Sequence, residues 1–335
     1  MLGAGVSIEA GVPNWRGLAV RVWQRALKAT EASSPVADLD IEHVVQDPQL
    51  LPVIFELAEE QLGTDEFVEV LRGCIYETAK PRYSPGGEST LEVIAEIVAK
   101  DYLLGAKRRI VRVVTFNADE LLREALRPQR RVHDLGQFWR TMEHAVADFA
   151  VGRGEQPVPV FHVHGLLPRA GAFGADFSKH RLVFTDSQYW RSGTSQASLA
   201  NRTMNAALAD SHCIFIGLSM TDANLLRWLA LRHNEITSDA EYRLAALETM
   251  RGDNGKPRLS KEQAAAERER RREHVRRRLA GHFWIRAPGD DKTGLLSAFL
   301  RLRGVEAVEI SGWGDGSLAA LLSECFEDPP RKLKR

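Results

Sequence analysis

From about residue 110 onward, short apolar runs alternate with helical stretches, and most runs end in glycine or a polar residue. Ile110-Val111-Arg112-Val113-Val114-Thr115-Phe116 predicts a strand, with a helix from Asp119. Val158 to Val163 predicts a strand, and Leu182-Val183-Phe184 a short one. Cys213-Ile214-Phe215-Ile216 predicts a strand ending at Gly217, followed by a helix from Ala223 to Leu231. Phe283-Trp284-Ile285 with Leu295 to Leu302 makes a last clear strand–helix pair. A strand at Ala307 to Ile310, a helix from Ser317 to Phe326 and a basic tail at Arg331 to Arg335 complete the chain. Strands that are apolar throughout are buried on both faces. Helices between them supply the crossovers that parallel strands need. The expected fold is therefore α/β, a doubly wound, Rossmann-like parallel sheet.

The chain opens with Met1-Leu2 directly before Gly3-Ala4-Gly5-Val6-Ser7. Glycine-rich turns of this kind leave a buried strand and enter a helix. Only two residues are available for that strand, so either the strand is very short or the native chain starts further upstream, and the second is expected. Residues 18–100 read as helical. Trp23 and Leu27, then Ile54, Leu57 and Ala58, then Phe67, Val70, Leu71 and Cys74 recur at helical spacing. Ser89-Thr90 ahead of Leu91, Ile94 and Val98 fits a capped helix, and Pro81 to Gly87 breaks the pattern. The expected organisation is a Rossmann-like domain from residues 1–17 and 105–330, with 18–104 as a helical insertion.

Several function classes are excluded by composition. Lys+Arg and Asp+Glu are both 45, and zero net charge argues against a general polyanion binder. No direct nucleic-acid partner is expected. The cysteines are Cys74, Cys213 and Cys325, with no Cys-x-x-Cys, which rules out a zinc ribbon. No apolar run reaches the ~18 residues of a membrane span, and the N-terminus lacks the charged and apolar regions of a signal peptide. A reduced, cytoplasmic setting is expected.

One segment is compositionally biased. Ser260 and Gln263 fit a capping box, and seven arginines lie between Arg268 and Arg278 among Glu267, Glu269 and Glu273. Glu267 with Arg271 and Glu273 with Arg277 are i,i+4 pairs in the favourable order. The segment is either a solvated helix or a docking surface, and the absence of aromatics weakens a nucleic-acid role.

Four segments can carry chemistry, each with a plainer structural reading. Glycines at Gly3 and Gly5 let backbone N–H groups approach a pyrophosphate, or simply make a tight strand–helix turn. Asn117 and Asp119 follow an apolar strand, at the edge where open α/β sheets bind ligands, or cap the next helix. His162 and His164 end a strand, and period-two alternation puts them on one face. That spacing suits a metal pair lacking a third ligand, one general base, or two hydrogen-bonded sheet histidines. Gly217 and Ser219 can admit a ribose, and Asp222 either orients a hydroxyl or caps the helix from Ala223.

In order, Gly-Ala-Gly-x-Ser, Ala10-Gly11-Val12-Pro13-Asn14-Trp15-Arg16, Asn117-x-Asp119, His164-Gly165 and Gly217-x-Ser219 resemble the sirtuin superfamily. The resemblance implies NAD binding. It differs from protein-deacylating members in lacking their four-cysteine zinc ribbon, in Asn14 where many have Asp, and in Trp15 where they have Phe. Gly217-Leu218-Ser219-Met220-Thr221-Asp222-Ala223-Asn224 and His162-Val163-His164-Gly165 look like the zinc-free, prokaryotic sirtuin-like domains of antiphage defence. What that branch implies is NAD hydrolysis to nicotinamide and ADP-ribose, with no zinc. The alternatives are an NAD-dependent protein deacylase or ADP-ribosyltransferase, and a non-catalytic NAD-binding assembly subunit.

By the resemblance, Gly3, Ala4, Gly5 and Ser7 cradle the pyrophosphate. Arg16 contacts phosphate or orders the cofactor loop. Asn117 orients the ribose or the attacking water, and Asp119 meets the nicotinamide carboxamide. His164 is the general base with His162 behind it, and Gly217, Ser219 and Asp222 hold the adenosine-side ribose. The resemblance also implies a homo-oligomer and a separately encoded defence partner, for example a helicase-type ATPase.

Overall fold

The computed structural model describes residues 1–29, 40–79, 83–84, 86–142, 156–169, 182–195, 198–249, 260–279 and 281–326. The expected basic tail lies outside them. The elements in chain order are α1 (Gly5–Ile8), α2 (Trp15–Ala29), α3 (Ile41–Val44), α4 (Leu51–Leu62), α5 (Thr64–Tyr76), α6 (Thr90–Leu103), β1 (Val113–Thr115), α7 (Leu121–Val132), β2 (Trp139–Met142) and β3 (Val158–His162). They continue with α8 (Asp186–Thr194), α9 (Leu199–Asp210), β4 (Ile214–Phe215), α10 (Ala223–Thr249), α11 (Lys261–Leu279), β5 (His282–Arg286), α12 (Leu295–Arg301), β6 (Val305–Glu309) and α13 (Ser317–Phe326). The chain is α/β with parallel sheets, and its contacts divide it into two compact units.

The first unit comprises Met1–Thr203, Ile216–Leu218 and Ile310–Arg335. Its sheet has the order β1-β3-β2, parallel throughout, with Val113 opposite Val160 and Thr115 opposite His162. The strand ahead of the glycine turn is reduced to Leu2, which bridges Thr115 on one side and Ile216 on the other. Leu2 N–H donates to Val114 O at 2.8 Å, and Gly3 N–H to Ile216 O at 3.0 Å. Leu2, β1 and β3 run parallel, so their carboxyl ends open on one edge, where Gly3, Asn117 and the residues after His162 emerge.

The helices of 18–103 form for local reasons. Asn14 Oδ1 accepts from Gly17 N–H at 2.8 Å and starts α2, which buries Leu18, Ala19, Val22, Trp23 and Ala26. Gly63, at φ 75°, ends α4 and caps α5, a backbone conformation that glycine adopts without steric cost. Ser89 and Glu92 close a capping box on α6.

The second unit comprises Met204–Phe215 and Ser219–Glu309. Its sheet is parallel with order β4-β5-β6. Ser260 and Gln263 bond reciprocally at 2.9 and 3.2 Å ahead of α11, and Arg271 pairs with Glu267 at 3.0 Å.

Three expectations need correction. Leu182 to Phe184 are buried but form no strand, and Val183 N–H donates to His164 O at 3.0 Å. β2 is a strand that the pattern does not announce, because Trp-Arg-Thr-Met offers no continuous apolar run. β3 stops at His162 rather than Val163. The chain turns there, with Gly165 at φ 85°, so the alternation that would put His162 and His164 on one face does not apply.

Candidate functional site

The carboxyl edge of the first unit's sheet gathers polar side chains that are nearly inaccessible. Ser7, Asn117, Asp119, His162 and His164 are all at most 9 % exposed. Buried polar groups of this kind must be hydrogen-bonded to be tolerated. Asn117 Nδ2 donates to Ser7 Oγ at 3.0 Å, and Ser7 Oγ donates to Asp119 Oδ2 at 2.9 Å. The direction follows from the chemistry. An ionised carboxylate only accepts, so the Ser7 proton points to Asp119, and Asn117 must present its NH₂ to the Ser7 lone pair. The second Asp119 oxygen, Oδ1, accepts from Leu121 N–H at 3.0 Å, which starts α7.

Burial holds the Asp119 carboxyl well above its ordinary range, at about 6, against the opposing pull of the Leu121 N–H and the Ser7 hydroxyl. His162 Nδ1 lies 3.0 Å from Asn117 O. A carbonyl only accepts, so Nδ1 carries the proton. Burial lowers the His162 pKa to about 4, which keeps the ring neutral near pH 7. The His164 ring stands edge-on to Phe116 at 5.1 Å and to Tyr189, on α8, at 5.4 Å. Asn117 Oδ1 takes no hydrogen bond from the described residues.

The glycine turn packs against another turn. A Cβ on Gly3 would stand 2.6 Å from Gly217 O, and one on Gly5 would stand 2.8 Å from Gly217 Cα. The Gly5 N–H donates to Gly217 O at 2.9 Å. The glycines expected at a pyrophosphate thus let two backbones touch. Ala4 caps the single turn of α1 through its backbone, and Ser7 is held between Asn117 and Asp119. Arg16 is exposed, and its guanidinium donates to Gln46 Oε1 at 3.4 Å and to Gln46 O at 3.3 Å. Trp15, Phe55 and Phe184 form a three-ring cluster with centroids 5.2–5.6 Å apart.

Ser219 and Asp222 lie in the second unit. Ser219 Oγ is 2.8 Å from Thr221 Oγ1, and Asp222 Oδ1 accepts from Leu225 N–H at 2.8 Å, the helix-capping arrangement. Among the described residues, no group of three or more His, Cys, Asp or Glu is placed to hold a metal ion. Cys74, Cys213 and Cys325 are thiols, none of them in a disulfide. No helix of the described residues is long and apolar enough to cross a membrane.

Two residues next to the site carry no sequence signal. Tyr76, the last residue of α5, is buried, with Oη 2.9 Å from Glu120 N and 2.7 Å from Leu167 O. The Arg169 guanidinium stacks over its ring at 4.8 Å. Both follow ordinary helix or loop composition, and only the fold reveals that they flank Asp119.

The arrangement is a set of oriented, dry polar groups at a strand edge, with an acceptor and an imidazole beside it. Such a site can orient a sugar hydroxyl or a water and stabilise developing positive charge. No curated protein matches the chain. Residues 111–276, which include Asn117, Asp119, His162 and His164, match the model of the SIR2-like domain, a family of NAD-using domains.

Proposed function

We propose that the protein is an NAD glycohydrolase that cleaves the nicotinamide–ribose bond, and that it acts in antiphage defence by depleting NAD. The observation that carries the reading is the Asn117–Ser7–Asp119 hydrogen-bond chain at the carboxyl edge of the sheet, inside or beside the SIR2-like match. The same reading takes the protein to be zinc-free, homo-oligomeric and restrained by a separately encoded partner.

Nicotinamide is bound in NAD as a cation, so it departs as a neutral molecule and needs no acid. The C1′–N bond breaks, its electron pair goes to nicotinamide, and C1′ becomes oxocarbenium-like. Water attacks C1′ and its proton leaves, so NAD and water give nicotinamide, ADP-ribose and a proton. Asn117, held from its Nδ2 side by Ser7, offers Oδ1 to orient the ribose or the water. His164 accepts the proton as general base. Asp119, fixed by Ser7 and Leu121, serves the carboxamide side. His162, neutral and bonded to Asn117 O, holds the Asn117 backbone. Ala4 and Arg16 serve the pyrophosphate side, and Gly3 and Gly5, whose N–H groups are bonded to Ile216 O and Gly217 O, fix the turn that presents Ala4.

The test is NAD consumption by the full chain, with its activating partner present, followed by chromatography of nicotinamide and ADP-ribose. His164→Ala and Asn117→Ala each reduce turnover by ~10²-fold or more in this reading. Full activity in His164→Ala, or NAD left intact under activating conditions, refutes it. Formation of O-acyl-ADP-ribose from an acyl-lysine peptide would assign protein deacylation instead.

A further inference from the structure

We propose that Tyr76 is a positioning residue that fixes Asp119 relative to the segment following His164. The inference rests on the assignment of Asn117, Asp119 and His164 to the reacting ribose. Three hydrogen bonds close a ring around Asp119. Leu167 N–H donates to Ala118 O at 2.7 Å, Tyr76 Oη donates to Leu167 O at 2.7 Å, and Glu120 N–H donates to Tyr76 Oη at 2.9 Å. Ala118 and Glu120 are the two neighbours of Asp119, and Leu167 stands three residues after His164.

Only a hydroxyl completes that ring. Tyr76 Oη must accept from one backbone N–H and donate to one backbone C=O through a single atom. Burial and the Asp119 charge both push the phenol pKa upward, so the donor proton stays in place. The partners of Tyr76 are held in turn. Arg169 covers the ring, its Nε is 3.3 Å from Glu124 Oε1, its Nη1 donates to Ala79 O at 3.1 Å, and its backbone N–H donates to Glu120 Oε1 at 3.0 Å. Arg72 Nε donates to Pro168 O at 3.1 Å. Residues 167–169 are therefore each bonded to α5, α7 or the segments flanking them. Tyr76 comes from the helical stretch 18–104, so that stretch supplies the strut between two strand ends.

The test compares Tyr76→Phe with Tyr83→Phe. The first keeps the ring and its stacking but removes Oη. The second removes a hydroxyl that is also buried near Asp119 and has no hydrogen-bond partner among the described residues. Two readouts are taken on the full chain: NAD kinetics, and amide hydrogen exchange resolved to Glu120 and Leu167. For Tyr76→Phe, kcat falls roughly 10- to 100-fold with a much smaller change in KM, the signature of misplaced reacting groups. Exchange at Glu120 and Leu167 accelerates together while the interior of α5 stays protected. Tyr83→Phe changes neither readout. Unchanged kcat with unchanged exchange at both amides overturns the proposal. So does a loss of protection spread through all of α5, which would make Tyr76 a packing residue only. Should the wild type consume no NAD, the glycohydrolase reading fails by itself. The exchange data then decide the strut alone, and uncoupled amides overturn it.

Discussion

Asp119→Asn separates the cost of the buried carboxylate from its use. In the folded chain the carboxyl titrates at about 6, against an ordinary value of 3.8. Below the unfolded value both states hold the proton and the group costs nothing. Between the two values the unfolded chain gives up its proton while the folded chain still holds it, so stability falls as pH rises, and the loss is complete above the folded value. A difference of about two pKa units corresponds to roughly 3 kcal/mol lost by about pH 7. Asparagine never ionises, so the variant escapes that cost. Near pH 3 it replaces a protonated carboxyl, and its NH₂ carries one N–H more than the acid's O–H, left unpaired in the buried site at about 1 kcal/mol.

The variant should therefore be about 1 kcal/mol less stable than wild type near pH 3, equal to it near about pH 4.5, and about 2 kcal/mol more stable from about pH 7 upward. Urea unfolding of the two proteins, paired at each pH, measures this difference with all other titrations cancelled. NAD turnover by the more stable variant should be lost, the trade expected of a strained functional group. A stability difference that is flat with pH, or one that turns against the variant as pH rises, would refute the reasoning.

Ser7→Ala leaves both Asn117 Nδ2 and Asp119 Oδ2 without the hydroxyl between them, at roughly 1–3 kcal/mol of stability. It also removes a hydrogen bond that favours the ionised carboxyl, so carbon-13 titration should find the Asp119 pKa above about 6. Gly217→Ala places a Cβ 2.6 Å from Val6 N at φ 65°, against backbone that cannot yield. Thermal unfolding should report a loss of more than about 1–2 kcal/mol from the left-handed conformation alone.

Much of the fold was legible because local rules and burial agreed. The Ser89–Glu92 cap announced α6, and the amphipathic run from Ser317 to Phe326 matched α13 at both ends. The Ser260–Gln263 pair announced α11. Rules that depend on distant partners misled. Leu182-Val183-Phe184 is apolar enough for a strand, yet its burial comes from packing, with Phe184 against Trp15 and Phe55. Residues Asn117 and Asp119 were readable as polar tips on an apolar strand. Their hydrogen-bond partner Ser7, 110 and 112 residues away, lies in a glycine turn, where a serine gives no hint of a carboxylate behind it. Tyr76 was invisible because it closes a helix whose apolar face explains its burial.

Asn117 stands between two ionisable neighbours with opposite appetites. Its side chain leads through Ser7 to Asp119, and its carbonyl meets His162. Near pH 5, acquiring the native structure takes up about 0.9 of a hydrogen ion at Asp119 and expels about 0.9 at His162, given folded values of about 6 and about 4. The two exchanges almost cancel. From these two groups alone, bulk calorimetry in mildly acidic buffers would register almost no pH sensitivity, while the charges on either side of one asparagine are being redistributed.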